Sequence, residues 1–103
     1  GFFELIPEFD SDGFRAYERH FDSDTFHALI ERVKDLNKEI AEDPHLGRGY
    51  RIGHGYFCGQ TEYSEEWLME IVDYEMPLLS EYWPDDPEKV RHWGNVLRSV
   101  FYD

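Results

Sequence analysis

TFHALIERVKDLNKEIAE, residues 25–42, decides the fold class. Phe26, Leu29, Ile30, Val33, Leu36 and Ile40 recur at helical spacing and form one continuous apolar stripe. Glu31, Arg32, Lys34, Asp35, Lys38 and Glu39 fall off that stripe and are expected in solvent. Asp22, Ser23 and Asp24 supply a cluster of N-cap side chains just ahead of it. Pro44 closes it, because proline disfavours helical geometry in the residue before it. Asn37 lies beside the stripe. A polar group there is normally satisfied by a neighbouring backbone or side chain, or else it holds the loop that follows.

Working back toward the start, Phe14, Tyr17 and Phe21 stand at i, i+3 and i+7 and predict a helix of about two turns. Ser11-Asp12-Gly13 before it is turn chemistry. His20 suits the negative end of that helix. Earlier still, FFELI (residues 2–6) is a strand-like run stopped by Pro7. A lone strand cannot bury both faces, and no later segment offers it a sheet. The expectation is an inner strand of a sheet lying upstream in a longer protein. An arm folded back on the helices, or paired with another chain, is the alternative.

Downstream, LGRGYRIGHGYFCG (residues 46–59) holds five glycines around His54. Glycine loses much conformational freedom on folding, so such a cluster is kept where backbone takes positive φ or approaches something closely. Two explanations stand: a long ordered connection between helices, or a loop facing a ligand or a second subunit. Ser64 then caps a helix with the apolar face Trp67, Leu68, Ile71, Val72, Met76 and Leu79. Pro77 inside it predicts a kink or break near Glu75 and Met76. Asp86 at the cap and Pro87 at the first helical position start a last helix carrying Val90, Trp93, Leu97, Val100 and Phe101. Its Gly94 admits a close neighbour. The whole reads as a mainly α protein, a small bundle of about four helices with an N-terminal extended strand and one Gly-rich loop.

At 103 residues the chain suffices for one small domain. Aromatic residues at 17% can fill a core, so disorder is disfavoured despite a net charge of −13. That charge repels phosphate backbones and argues against direct nucleic-acid binding. Most of the acid precedes predicted helices, where carboxylates serve as caps. The single Cys58 excludes an internal disulfide. No apolar run approaches the roughly 20 residues that span a bilayer, and no membrane role is expected. There is no phosphate-binding GxxxxGK[ST] loop and no G-x-S-x-G elbow, so no catalytic residue is nominated. His54 and Cys58 lack further ligand pairs nearby, so no metal is expected.

RIGHGYF, residues 51–57, preceded by LGRGY, closely resembles an IGHSYF-type motif. That motif belongs to the GTPase subunit of McrBC-type modified-cytosine restriction systems, an AAA+ family. LNKEI (residues 36–40) and EMPLLSEYW (residues 75–83) are similar to its surroundings, so the resemblance covers nearly the whole chain. Gly55 departs from it, standing where the family usually has Ser. The resemblance implies a C-terminal lid subdomain over residues 13–103, with residues 1–12 as last core strand and hinge connector. It implies closure over nucleotide held by an upstream AAA+ core, with GTP or ATP and Mg bound by the parent and not by this segment. It also implies neighbouring subunits of a ring, an endonuclease partner and a cytoplasmic setting. His54, Gly53, Gly55, Arg51 and Arg48 become the candidates for meeting nucleotide or a neighbouring subunit. His54 either senses nucleotide or fixes the loop by bonding a backbone carbonyl or a helix acid. An acidic helical protein–protein interaction module, with exposed Trp and Tyr and no nucleotide role, is the alternative function.

Overall fold

The structure, a computed structural model, describes residues 8–102. Four helices form: α1 (Asp12–Phe21), α2 (Asp24–Glu42), α3 (Glu65–Tyr82) and α4 (Pro87–Arg98). Short 3-10 turns lie at Arg48–Tyr50, His54–Phe57 and Ser99–Phe101. No strand occurs among the described residues, and the strand expected at residues 2–6 lies outside them. None of the described helices is long and apolar enough to cross a membrane.

Each α-helix starts where a short polar side chain can take an orphan N–H. Ser11 accepts from the Phe14 amide, Ser23 from Phe26, Ser64 from Trp67 and Asp86 from Lys89. The Asp22-Ser23-Asp24 cluster divides into three jobs. Asp22 ends α1 in the left-handed region at φ 48°, which Asp tolerates better than most residues. Ser23 caps α2, and Asp24 places charge in its first turn.

The six stripe residues of α2 are all buried, and Phe26 is the point on which the other elements meet. Phe21 of α1, Phe57 of the loop and Trp67 of α3 set their ring centres 5.6, 6.3 and 5.7 Å from it. The Phe21 and Trp67 contacts are edge-to-face and the Phe57 contact is tilted, and such ring pairs add to area burial. The polar edges of two more tryptophans tie the far end together. Trp83 Nε1 donates to Asp43 at 2.8 Å, and Trp93 Nε1 donates to Glu39. Glu39 is therefore half-buried and bonded, where the stripe had placed it in solvent.

Two features of α3 correct the sequence reading. The helix runs unbroken from Glu65 to Tyr82 through Pro77. Pro77 and Asp73 are both exposed, so the carbonyl that loses its donor faces water and needs no break to be satisfied. The buried stripe is Leu68, Ile71, Val72, Glu75 and Leu79, with a carboxyl in the middle. Glu75 is 1% exposed, and neither of its oxygens has a hydrogen-bond partner among the described residues. Burial pushes its pKa up to about 8.

Gly94 meets α3 as its smallness suggested. A Cβ there would lie 2.8 Å from Met76 Cε. Gly94→Ala should be close to neutral, since Met76 is flexible and alanine favours helix by about 1 kcal/mol. Gly94→Val should cost about 1–3 kcal/mol through overpacking, read as a lowered midpoint in thermal denaturation.

Candidate functional site: a cationic cleft beside the connector

The glycine-rich loop is held by side chains that reach it from three helices. Asn37 of α2 donates to the Ile52 carbonyl at 2.9 Å and accepts from the Ile52 amide at 2.7 Å. Tyr17 of α1 donates to the Phe57 carbonyl at 2.5 Å and accepts from the Gln60 amide. Tyr82 of α3 donates to the Tyr50 carbonyl at 2.8 Å. Ile52 and Phe57 are buried, so the loop is an ordered part of the body. Positive φ occurs at Gly47 (+99°) and Gly59 (+81°), which bracket it. A Cβ on Gly55 would meet nothing within 4 Å, and one on Gly53 only the Gly55 amide at 4.0 Å. Internal packing therefore does not require glycine at either position, and the backbone there is open to approach from outside.

His54 faces the connector that precedes α1. Its Nδ1 accepts from the Glu8 amide at 3.3 Å, which leaves Nε2 as the proton-bearing nitrogen of the neutral ring. Its ring lies 6.3 Å from Phe9 and 5.9 Å from Phe14. The bond is to a backbone N–H of the connector, a partner that neither sequence alternative had named. Phe9 is buried with Phe14 and Phe57, so the connector is packed onto the loop. Asp10 secures it further, pairing with Lys34 at 2.7 Å and Arg15 at 3.1 Å. The Lys34 ammonium first, and then Arg15, hold the Asp10 carboxyl below its usual range.

A cleft of about 200 Å³ opens between connector, α2 and loop, lined by Phe9, Asp10, Lys34, Asn37, Lys38, Ala41 and Arg51. It gathers the cations of Lys34, Lys38 and Arg51; Lys34 pairs with Asp10 and with Glu31 at 3.4 Å, and Lys38 lies 4.0 Å from Asp35. Arg51 is the only nominated residue in its lining; its Nε also donates to the Arg48 carbonyl at 2.9 Å. Arg48 itself is exposed in the first 3-10 turn. Lys34 and Lys38 had been assigned to solvent. Their i, i+4 spacing puts both on one face of α2, but only the fold brings connector and loop to that face. Such a donor set fits an anion such as a phosphate group.

The exposed aromatic surface differs from the expectation attached to an interaction module. Trp83 and Trp93 are buried and Trp67 is half-buried, while Tyr50, Tyr56, Tyr74 and Tyr102 are exposed.

A family model for the McrB alpha-helical lid domain matches residues 28–91. The chain is also similar to the Type IV methyl-directed restriction enzyme EcoKMcrB subunit of Escherichia coli (strain K12). The two are 38% identical over 104 residues, covering 93% of this chain and 23% of that relative.

Proposed function

The chain belongs to the McrB alpha-helical lid family, and from that membership we propose that it closes over nucleotide bound to an AAA+ core. In this proposal residues 1–12 lead to that core as strand and hinge, and the helical body is the moving part. The chain spans about 23% of the relative's length, so the parent's GTP or ATP hydrolysis with Mg is part of the proposal. So are ring packing against neighbouring subunits, an endonuclease partner and a cytoplasmic location. The observation that supports the reading is the cleft: its three cations sit beside the connector residues Phe9 and Asp10.

Arg51, Lys38 and Lys34 would take the phosphates, and the open backbone at Gly53 and Gly55 would let them come near. Hydrolysis takes one water onto the terminal phosphate as the bridging bond breaks; the lid would supply positive charge there and keep bulk solvent away. His54 links this charge to the connector through Glu8, so loop and hinge move together.

The test uses the full-length parent. His54→Ala should lower GTP turnover or ring assembly while circular dichroism shows the helices intact. Arg51→Ala with Lys38→Ala should raise the KM for nucleotide by about tenfold, as loss of charge-assisted bonds implies. Wild-type turnover, KM and assembly in both variants would remove the nucleotide role.

A further inference from the structure

One turn further along α2 the chemistry reverses. A groove of about 760 Å³ runs between the end of α2, the start of the loop and the turn from α3 to α4. Tyr50, Tyr82 and Trp83 give it ring walls. Asp43, Glu81, Asp85 and Asp86 bring four carboxylates against the ammonium of Lys89. Two of the four are committed: Asp43 to Trp83 Nε1 and the His45 amide, Asp86 to capping α4. Glu81 and Asp85 are exposed and carry no ion pair among the described residues.

The wall already holds one cation. Lys89 Nζ stands 5.2 Å from the centre of the Trp83 ring and 3.8 Å from Glu39. Tyr50 is 47% exposed and packs edge-on to Tyr82 with ring centres 5.5 Å apart. A single exposed tyrosine needs no explanation. An exposed ring beside uncompensated carboxylates is a place for a guanidinium, whose plane stacks on the ring while its N–H fork meets the oxygens. A purely apolar occupant would desolvate Glu81 and Asp85 without return. An anionic one is opposed by the chain's net charge of −13.

We propose that this groove docks an extended, arginine-bearing segment of a partner protein. The inference needs no nucleotide and stands apart from the lid reading. The probe is tetra-arginine peptide, acetylated and amidated, titrated into the 103-residue chain at low salt and followed by backbone amide NMR shifts. Shifts should concentrate at Tyr50, residues 81–83, Asp85 and Lys89. Glu81→Gln with Asp85→Asn should weaken binding at least tenfold. Glu65→Gln with Glu66→Gln, the same change of charge at the start of α3, should weaken it less than twofold. Tetra-lysine should bind several-fold more weakly than tetra-arginine. Equal weakening by the two double variants, or shifts spread over all the acidic caps, would overturn the proposal in favour of charge alone. A dimer in sedimentation that the Glu81→Gln, Asp85→Asn variant dissolves would overturn it too, by giving the groove to a second copy.

Discussion

Glu75→Met should make the chain more stable at pH 8 by several kcal/mol, and Glu75→Gln should flatten its dependence on pH. The carboxyl lies in the core stripe of α3, unpartnered among the described residues, and burial raises its pKa from 4.5 to about 8. The folded state therefore keeps a proton that the unfolded state has released. Stability linked to Glu75 is complete below about pH 4.5, falls as pH rises, and levels off above about pH 8. At about 1.4 kcal/mol per unit, the loss across that window is on the order of 3–5 kcal/mol. Asp10 and Asp43 act the other way. The Lys34 hydrogen bond on Asp10 and the Trp83 hydrogen bond on Asp43 hold both carboxyls low, so their contribution is lost only as pH falls below the ordinary carboxylate range. Stability should accordingly peak around pH 4–5. Growing negative charge also weakens the fold toward high pH, and the glutamine variant isolates the Glu75 share of that slope. Methionine should gain most, because glutamine leaves an amide unpaired where the thioether only packs. Denaturant unfolding at several pH values is the measurement. Parallel curves for wild type and Glu75→Gln between pH 5 and 8 would show that the carboxyl does not titrate with folding.

What was legible follows from how local each signal is. The α2 stripe and the caps at Ser23, Ser64 and Asp86 are contained within a few residues of sequence, and the structure keeps them all. The unbroken helix at Pro77 is not legible locally, because the cost of its missing N–H depends on whether the freed carbonyl faces core or water, which is a tertiary fact. Glu75 was invisible for a related reason. A carboxyl between Tyr74 and Met76 reads as surface, and helical spacing runs the apolar stripe through Met76, which is only half-buried. At the candidate site, the motif around His54 lies in the loop that supplies Arg51 to the cleft. It could not show that Lys34 and Lys38, from the preceding helix, join Arg51, because that meeting needs the loop folded back onto α2. The groove one turn further along, past the end of α2, is spread over three segments and has no local signature at all.

Asn37 is the residue on which that fold-back turns, and Asn37→Ala should cost about 3 kcal/mol, with two buried backbone groups orphaned at roughly 1–3 kcal/mol each. Asn37 is 6% exposed, and its amide satisfies both polar groups of Ile52, fifteen residues on, much as a neighbouring strand would. The Ile52 side chain, 1% exposed, is thereby seated in the core, and Arg51 is set next to Lys34 and Lys38. Asn37→Asp keeps the acceptor for the Ile52 amide but turns an oxygen toward the Ile52 carbonyl, so it should cost as much at neutral pH. Hydrogen exchange separates this local role from general destabilisation. In the alanine variant the Ile52 amide should lose its protection, while amides at the centres of α2 and α3 keep theirs relative to global stability. An Ile52 amide that exchanges as slowly as in the wild type would mean that Ile52 burial, and not the asparagine, holds the loop. Because the same clamp positions the cleft, the proposed lid role predicts that the variant in the full-length parent also raises the KM for nucleotide. Asn37 lines the cleft but brings no charge to it, so comparison with Arg51→Ala separates the clamp from the cationic groups.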